Sequence, residues 1–244
     1  MSGDGVRRAW RTTIAHPSGI LLAVQLIGVL VYPFMPDSGV GRVAFEAFGA
    51  LVLTLAVFSV RDSGTPTWLA ISLAAVASSL SIVEAFYPSA TLELLSFAVH
   101  AVFYFAAAAS LMMYMLEDRT VTGDELFAVG ATFTLVAWAF AYLYQIVQVL
   151  EPGSFIAAVN PEQARTWFEL LFLSFTTLSS TGLGDVLPIS DHARSVVMIE
   201  QLAGLAYVAL VVSRLVGLTL GRRAVDETGP GLELDDPADA DLKG

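Results

Sequence analysis

Apolar residues run along this chain in long blocks that show neither the two-residue period of a half-buried strand nor the narrow stripe of a surface helix. Six blocks, at 17–34, 42–60, 67–87, 91–116, 125–150 and 191–221, match the length of about 20 apolar residues that a helix needs to cross a bilayer. The breaks at 33–41, 61–66, 87–89 and 117–124 are short and carry Pro, Gly or charged turn chemistry. A seventh apolar block, 167–180, is too short to cross, and a Gly-rich turn and Pro188 follow it. That pattern predicts a helix that enters the membrane and turns back as an extended strand. The predicted fold class is therefore an all-α membrane protein with six transmembrane helices plus one re-entrant helix and loop.

Composition narrows the reading. Of 244 residues, 56% are apolar and 14% charged, and the mean hydropathy is +0.70. A water-soluble domain carries about 25% charged residues, so soluble enzymes and nucleic-acid-binding proteins are excluded as classes, and no enzyme activity is expected. The net charge of −11 says little about partners, because the tail from Asp226 onward holds seven acids against Lys243. This Gly/Pro/Asp stretch lacks apolar surface to fold and is expected to be disordered. Cys is absent, which removes disulfides and thiolate metal sites. Arg7, Arg8 and Arg11 precede the first block without a small-residue cleavage motif, so the N-terminal segment is expected to be retained.

Basic residues stay on the cytoplasmic side of a membrane. With the N-terminus inside, the inner segments hold Arg7, Arg8, Arg11, Arg61, Arg119, Arg222, Arg223 and Lys243, against Arg42, Arg165 and Arg194 outside. Both termini are thus expected in the cytoplasm of a multi-pass protein of the cell membrane, with the re-entrant segment on the outer face.

The chemistry concentrates in 174–188, which reads Ser-Phe-Thr-Thr-Leu-Ser-Ser-Thr-Gly-Leu-Gly-Asp-Val-Leu-Pro. Two glycines one residue apart, directly after a short intramembrane helix, permit backbone angles that other residues resist. Such a strand can turn successive carbonyls to one side. Unpaired carbonyls are tolerated at membrane depth only where they line a wet cavity or bind something, and a row of them suits a dehydrated monovalent cation.

This stretch resembles the pore helix and selectivity filter of the tetrameric potassium-channel superfamily, whose filter reads Thr-Val-Gly-Tyr-Gly followed by Asp. Here the frame reads Ser180-Thr181-Gly182-Leu183-Gly184, followed by Asp185. The resemblance spans roughly 125–221 and implies an outer helix, turret, pore helix, filter and inner helix. It implies that the Ser180 hydroxyl and carbonyl and the carbonyls of Thr181, Gly182 and Leu183 form stacked K+ sites, with sodium as the open alternative and no other cofactor. Asp185 would stand at the outer mouth, Thr176 and Thr177 would end the pore helix and brace the filter, and Gly204 falls where the family has a hinge glycine. Glu200 falls on the inner helix behind or below the filter, bonded to the pore helix or ionised near the path. One chain supplies one loop and a carbonyl ring needs about four, so a homotetramer follows. The implied domains are an N-terminal cytoplasmic segment 1–16, a four-helix membrane domain 17–124, a pore domain 125–221 and the acidic tail 222–244.

Three departures from the family pattern bear on selectivity. Ser180 keeps the hydroxyl of the usual Thr but loses its methyl. Thr181 puts a hydroxyl where the family has an aliphatic side chain. Leu183 replaces the aromatic that the family hydrogen-bonds to its pore helix, and the facing positions Phe172 and Leu173 carry no donor either. Apolar packing is expected to support this filter, with Gly182 where the strand packs most tightly.

The block 91–116 occupies the place of a voltage sensor but contains no Lys or Arg, so weak voltage dependence is expected. Glu46, Glu84, His100 and Glu169 are further ionisable residues within blocks; His100 reads as buried and hydrogen-bonded. Trp10, Trp68, Trp138 and Trp167 read as interface anchors, and Gly28, Gly49 and Gly130 as helix contacts. The expected function is passive conduction of monovalent cations, potassium first, by a homotetramer whose other partners are membrane lipids. A non-selective cation channel and a non-conducting scaffold or sensor subunit with a degenerate loop are the alternatives.

Overall fold

Pro17 starts the first helix, at a position where its missing N–H and fixed φ cost nothing. This helix, α1 (Pro17–Val31), ends in a 3₁₀ turn at Tyr32–Phe34. There follow α2 (Gly39–Ser59), α3 (Thr67–Phe86), α4 (Ala90–Glu117) and α5 (Gly123–Leu150). A short strand β1 (Phe155–Ala157), the helix α6 (Trp167–Leu178), the strand β2 (Val186–Pro188) and a long helix α7 (Asp191–Glu227) complete the order. This computed structural model describes residues 16–34, 39–59, 67–87, 89–117 and 123–227.

Helices occupy all seven apolar blocks, with shifted ends. α2 begins at Gly39 rather than 42, and α7 runs to Glu227, so the first six residues assigned to the tail are helical. The rest of the tail, Arg7, Arg8, Arg11 and Trp10 lie outside the described residues, as do the side chains of Arg42 and Glu46. Among the described residues, Pro17–Phe34, Ala90–Leu116, Gly123–Leu150 and Asp191–Arg214 are long and apolar enough to cross a membrane. α2 and α3 contribute the shorter apolar stretches Phe48–Phe58 and Ala70–Glu84.

α5 is the centre of the packing, touched by α1, α4, α6 and α7. Phe103, Tyr104, Ala107 and Leu111 of α4 share one core with Leu135 and Trp138 of α5. Tyr104 meets the Trp138 ring edge-on at 5.5 Å. Trp138 is therefore a core residue and not an interface anchor; it lies near the middle of a 28-residue helix, where no interface is within reach. α1 nests against its neighbours at glycines: a methyl at Gly28 would strike the Phe48 ring at 1.9 Å, and one at Gly130 the Leu22 side chain at 2.7 Å. Gly49 meets nothing within 4 Å.

Asp124 sits at the amino ends of both α1 and α5, accepting from Ser18 N at 3.1 Å and Ser18 Oγ at 2.9 Å, where both helix dipoles favour a negative charge. α1 and α5 therefore start side by side. α7 runs the other way: Tyr207 donates to the Val129 carbonyl and Arg214 reaches Glu125 at 3.3 Å, so the late turns of α7 lie beside the early turns of α5. One side of α7 stays uncovered, with Ile199, Leu202, Leu205, Val208 and Val212 all more than half exposed.

The two strands are an element that the apolar pattern does not reveal, since three residues are too few for a period. They pair antiparallel, with Phe155 opposite Pro188 and Ala157 opposite Val186.

Candidate functional site

α6 starts at a capping box. Thr166 Oγ1 accepts from Glu169 N at 3.2 Å while the Glu169 carboxylate accepts from Thr166 N at 2.6 Å, so two orphan helix donors are satisfied together. Glu169 is thus a helix-start residue, and the Thr-x-x-Glu spacing before an apolar run was a legible signal for it. Arg165, 4% exposed, gathers the preceding loop: its guanidinium donates to the carbonyls of Asn160, Gln163 and Val159 and meets Glu169 at 3.2 Å. Its backbone exchanges two hydrogen bonds with Gln148 near the end of α5.

The 12 residues of α6 cover about 18 Å, little more than half the hydrocarbon core. The helix begins beside Gln148 and ends beside Gly204 and the level of Ala137. The chain then returns: β2 pairs with β1, and Ile189 N donates to Ser154 O at 2.9 Å, back at the carboxyl end of α5. Entry and exit on the same end of α5 define a re-entrant loop.

The turn at the bottom of the loop is a Schellman motif. Thr181 N donates to Thr176 O at 3.0 Å and Ser180 N to Thr177 O at 3.0 Å. The Thr176 carbonyl also accepts from Gly182 N at 3.1 Å and Thr181 Oγ1 at 3.2 Å. Thr176 and Thr177 thus end α6 through their carbonyls. Ser180 occupies the left-handed position, φ +58°, that such a cap normally gives to glycine. A left-handed residue other than glycine costs on the order of 1 kcal/mol and is retained where the side chain is needed. Gly182 is left-handed as well, φ +65°.

Positive φ thus occurs at Ser180 and Gly182, two residues apart, and not at Gly184. Three amides, those of Ser180, Thr181 and Gly182, are bound to α6, whereas the carbonyls of residues 180–184 accept no hydrogen bond among the described residues. Residues 179–185 are all exposed. The Ser180 and Thr181 side chains, the backbone of Gly182, Leu183 and Gly184, and Asp185 are therefore brought together on one open strand.

Some expected supports are absent within one chain. Leu183 is 64% exposed and Phe172 42% exposed, while Leu173 turns away into a cluster with Phe140, Tyr144, Phe155 and Val186. Asp185 makes no hydrogen bond or ion pair with the described residues. A methyl at Gly182 would meet nothing within 4 Å, so the expected tight packing is not there; the constraint at Gly182 is its left-handed backbone. Tight packing belongs to Gly204, where a methyl would fall 2.1 Å from the Leu178 carbonyl oxygen. α7 continues as helix through Gly204, which lets the backbone of α7 touch the end of α6.

Glu200 is fully buried and takes hydrogen bonds from Tyr144 of α5 and from Ser174 of α6. Ser174 Oγ also reaches the Ala137 carbonyl at 2.8 Å. A lone Glu in an apolar helix signals that a partner exists. Nothing in the sequence singles out Tyr144 and Ser174 as those partners, because they lie 56 and 26 residues away. At the end of the loop beside the strand pair Glu151 faces His192 at 3.2 Å, and its bond to Ser190 holds its carboxyl below the usual range. His100 bonds the Ser96 carbonyl at 2.8 Å and stacks on Tyr142, inside the α4–α5 packing.

Residues 99–219, from within α4 to the last turns of α7, match the family model described as ion channel. Comparison with curated proteins and with solved structures gives no match. A membrane location follows from that match together with the long apolar helices.

Proposed function

Because the chain belongs to the ion-channel superfamily, we propose that it conducts monovalent cations, potassium foremost, through a homotetrameric pore lined by residues 180–184. The observation that supports this reading is the division of the strand after α6: its first three amides are consumed by the helix end, and its carbonyls meet no donor among the described residues. Water, lipid or a cation must satisfy them, and among these only a cation uses a stack of carbonyl dipoles at once. The uncovered side of α7 supplies apolar surface for neighbouring subunits, as a fourfold assembly requires. In the membrane the subunit would carry six spans with both termini inside, the loop opening outward.

Within that pore, Ser180 adds a hydroxyl to the innermost carbonyl site. Asp185 raises the cation concentration at the outer mouth. Conduction proceeds by exchange of hydration water for ring-stacked carbonyls, with several weakly held ions displacing one another. A non-selective cation channel is the second reading, favoured by the exposure of Leu183 and by Leu173 packing away from it.

Cation flux from liposomes holding the purified protein tests the reading, with potassium and sodium gradients compared and barium as blocker. Potassium flux well above sodium flux and sensitive to barium is expected. Equal fluxes would select the non-selective reading, and absence of flux from tetramers would overturn conduction.

A further inference from the structure

The strand after α6 has no hydrogen-bonded support of its own on the outer side, since Leu183, Phe172 and Leu173 carry no side-chain donor or acceptor. Its position is set through α6, because the amides of Ser180, Thr181 and Gly182 all bond to the carbonyls of Thr176 and Thr177. Whatever fixes the last two turns of α6 therefore fixes the strand. Those turns are held by three contacts to other helices. Ser174 binds Ala137 of α5, Ser174 binds Glu200 of α7, and the Leu178 carbonyl rests on Gly204 of α7. Glu200 is the common member, with one carboxyl oxygen on Ser174 and the other on Tyr144.

We infer that Glu200 is the positioning residue of the ion path: one buried carboxyl group ties the outer, re-entrant and inner helices together and holds the carbonyl strand in register from behind. The inference rests on the channel reading for its consequence in selectivity, but not for the lock itself. A side chain buried at this depth is retained only if fully partnered, and here both oxygens are engaged by groups on two different helices. Support that the aromatic cuff would give from the outer side is thereby moved to the inner end of the strand, next to Ser180 and Thr181. Because helix contacts in a membrane gain nothing from the hydrophobic effect, such a polar tie acts beside close packing in setting relative helix position.

The substitutions separate positioning from bulk stability. Gln at 200 keeps an acceptor for Tyr144 and gives Ser174 a donor, leaving the Ser174 proton for Ala137, so both ties to the neighbouring helices are kept. Glu200→Leu removes both ties, and Tyr144→Phe removes one hydroxyl with little change of shape. The full chain in liposomes is assayed for the potassium-to-sodium flux ratio, and hydrogen–deuterium exchange is followed in the peptide covering 174–184. Tyr144→Phe should speed exchange in that peptide about ten-fold, the factor expected from one lost buried hydrogen bond, and Glu200→Leu, which loses two, should speed it further; both should lower the flux ratio several-fold, and Glu200→Gln should retain exchange and ratio. Unchanged exchange in Tyr144→Phe and Glu200→Leu, or acceleration spread evenly over α4 to α7, overturns the lock. Absence of flux in the unsubstituted protein would sink the channel reading, while the exchange comparison would still decide for or against Glu200.

Discussion

The two sides of α5 are built from different interactions. Toward α1 and α4 the contacts are aromatic rings, alanines and glycines, with Trp138, Tyr104 and Phe103 at the centre. Toward α6 and α7 the same helix offers the Ala137 carbonyl, Tyr144 and Gln148 to named polar partners. Apolar packing tolerates substitution of similar volume, whereas a buried hydrogen-bond network specifies one geometry and penalises any member left unpaired. The first side suits a scaffold with no charges to move; the second suits a strand whose carbonyls must stay in register. α4 carries no Lys or Arg and its buried face is spent on α5, so weak voltage dependence remains the expectation for this half.

The largest contrast is expected between two glycines. Gly204→Ala drives a methyl against the Leu178 backbone, which cannot turn aside; it should cost about 2 kcal/mol or more and abolish most flux. Gly28→Ala meets the end of the Phe48 ring, which can rotate, so a loss of about 1 kcal/mol with flux retained is expected. Thermal unfolding in detergent beside liposome flux gives both numbers. Equal losses at the two positions would erase the distinction between the sides.

Next come the left-handed residues of the strand. Gly182→Ala forces a side chain onto a φ of +65°, costing about 1 kcal/mol in backbone strain, and should remove most conduction. Ser180→Gly should raise stability by about 1 kcal/mol by relieving strain, yet lower the potassium preference by deleting the hydroxyl. Stability and ion preference moving together in Ser180→Gly would show that the serine is not held there for its side chain. On the apolar side, Trp138→Phe is expected to destabilise by about 1 kcal/mol and leave the ion ratio unaltered.

The smallest effect concerns Glu151. Its folded carboxyl titrates below the ordinary value of 4.5, chiefly through Ser190. A depressed carboxyl stabilises above the unfolded value and loses that contribution as pH falls through the folded one. Melting temperature should thus drop less on acidification below pH 4.5 in Glu151→Gln than in the parent. The difference is slight because Glu151 and His192 face solvent.

The residue pattern by itself determined the helical blocks, the block too short to cross and the Gly-x-Gly-Asp strand after it. Each is a local property, since block length, missing charge and glycine spacing act within about 20 residues. The Thr166–Glu169 capping box is equally local, but from the apolar pattern Glu169 reads only as an ionisable residue within a block. Tertiary structure alone decided what Glu200 binds, what Gly204 touches and that Trp138 is core, because these depend on segments 26 to 56 residues apart meeting at α5. It also decided that the strain falls on Ser180 as well as Gly182, since the Schellman cap is set by where α6 ends against α7. Hydrophobicity is additive along the chain and can be read in one dimension, whereas hydrogen-bond pairing and close backbone approach exist only once distant helices share a surface.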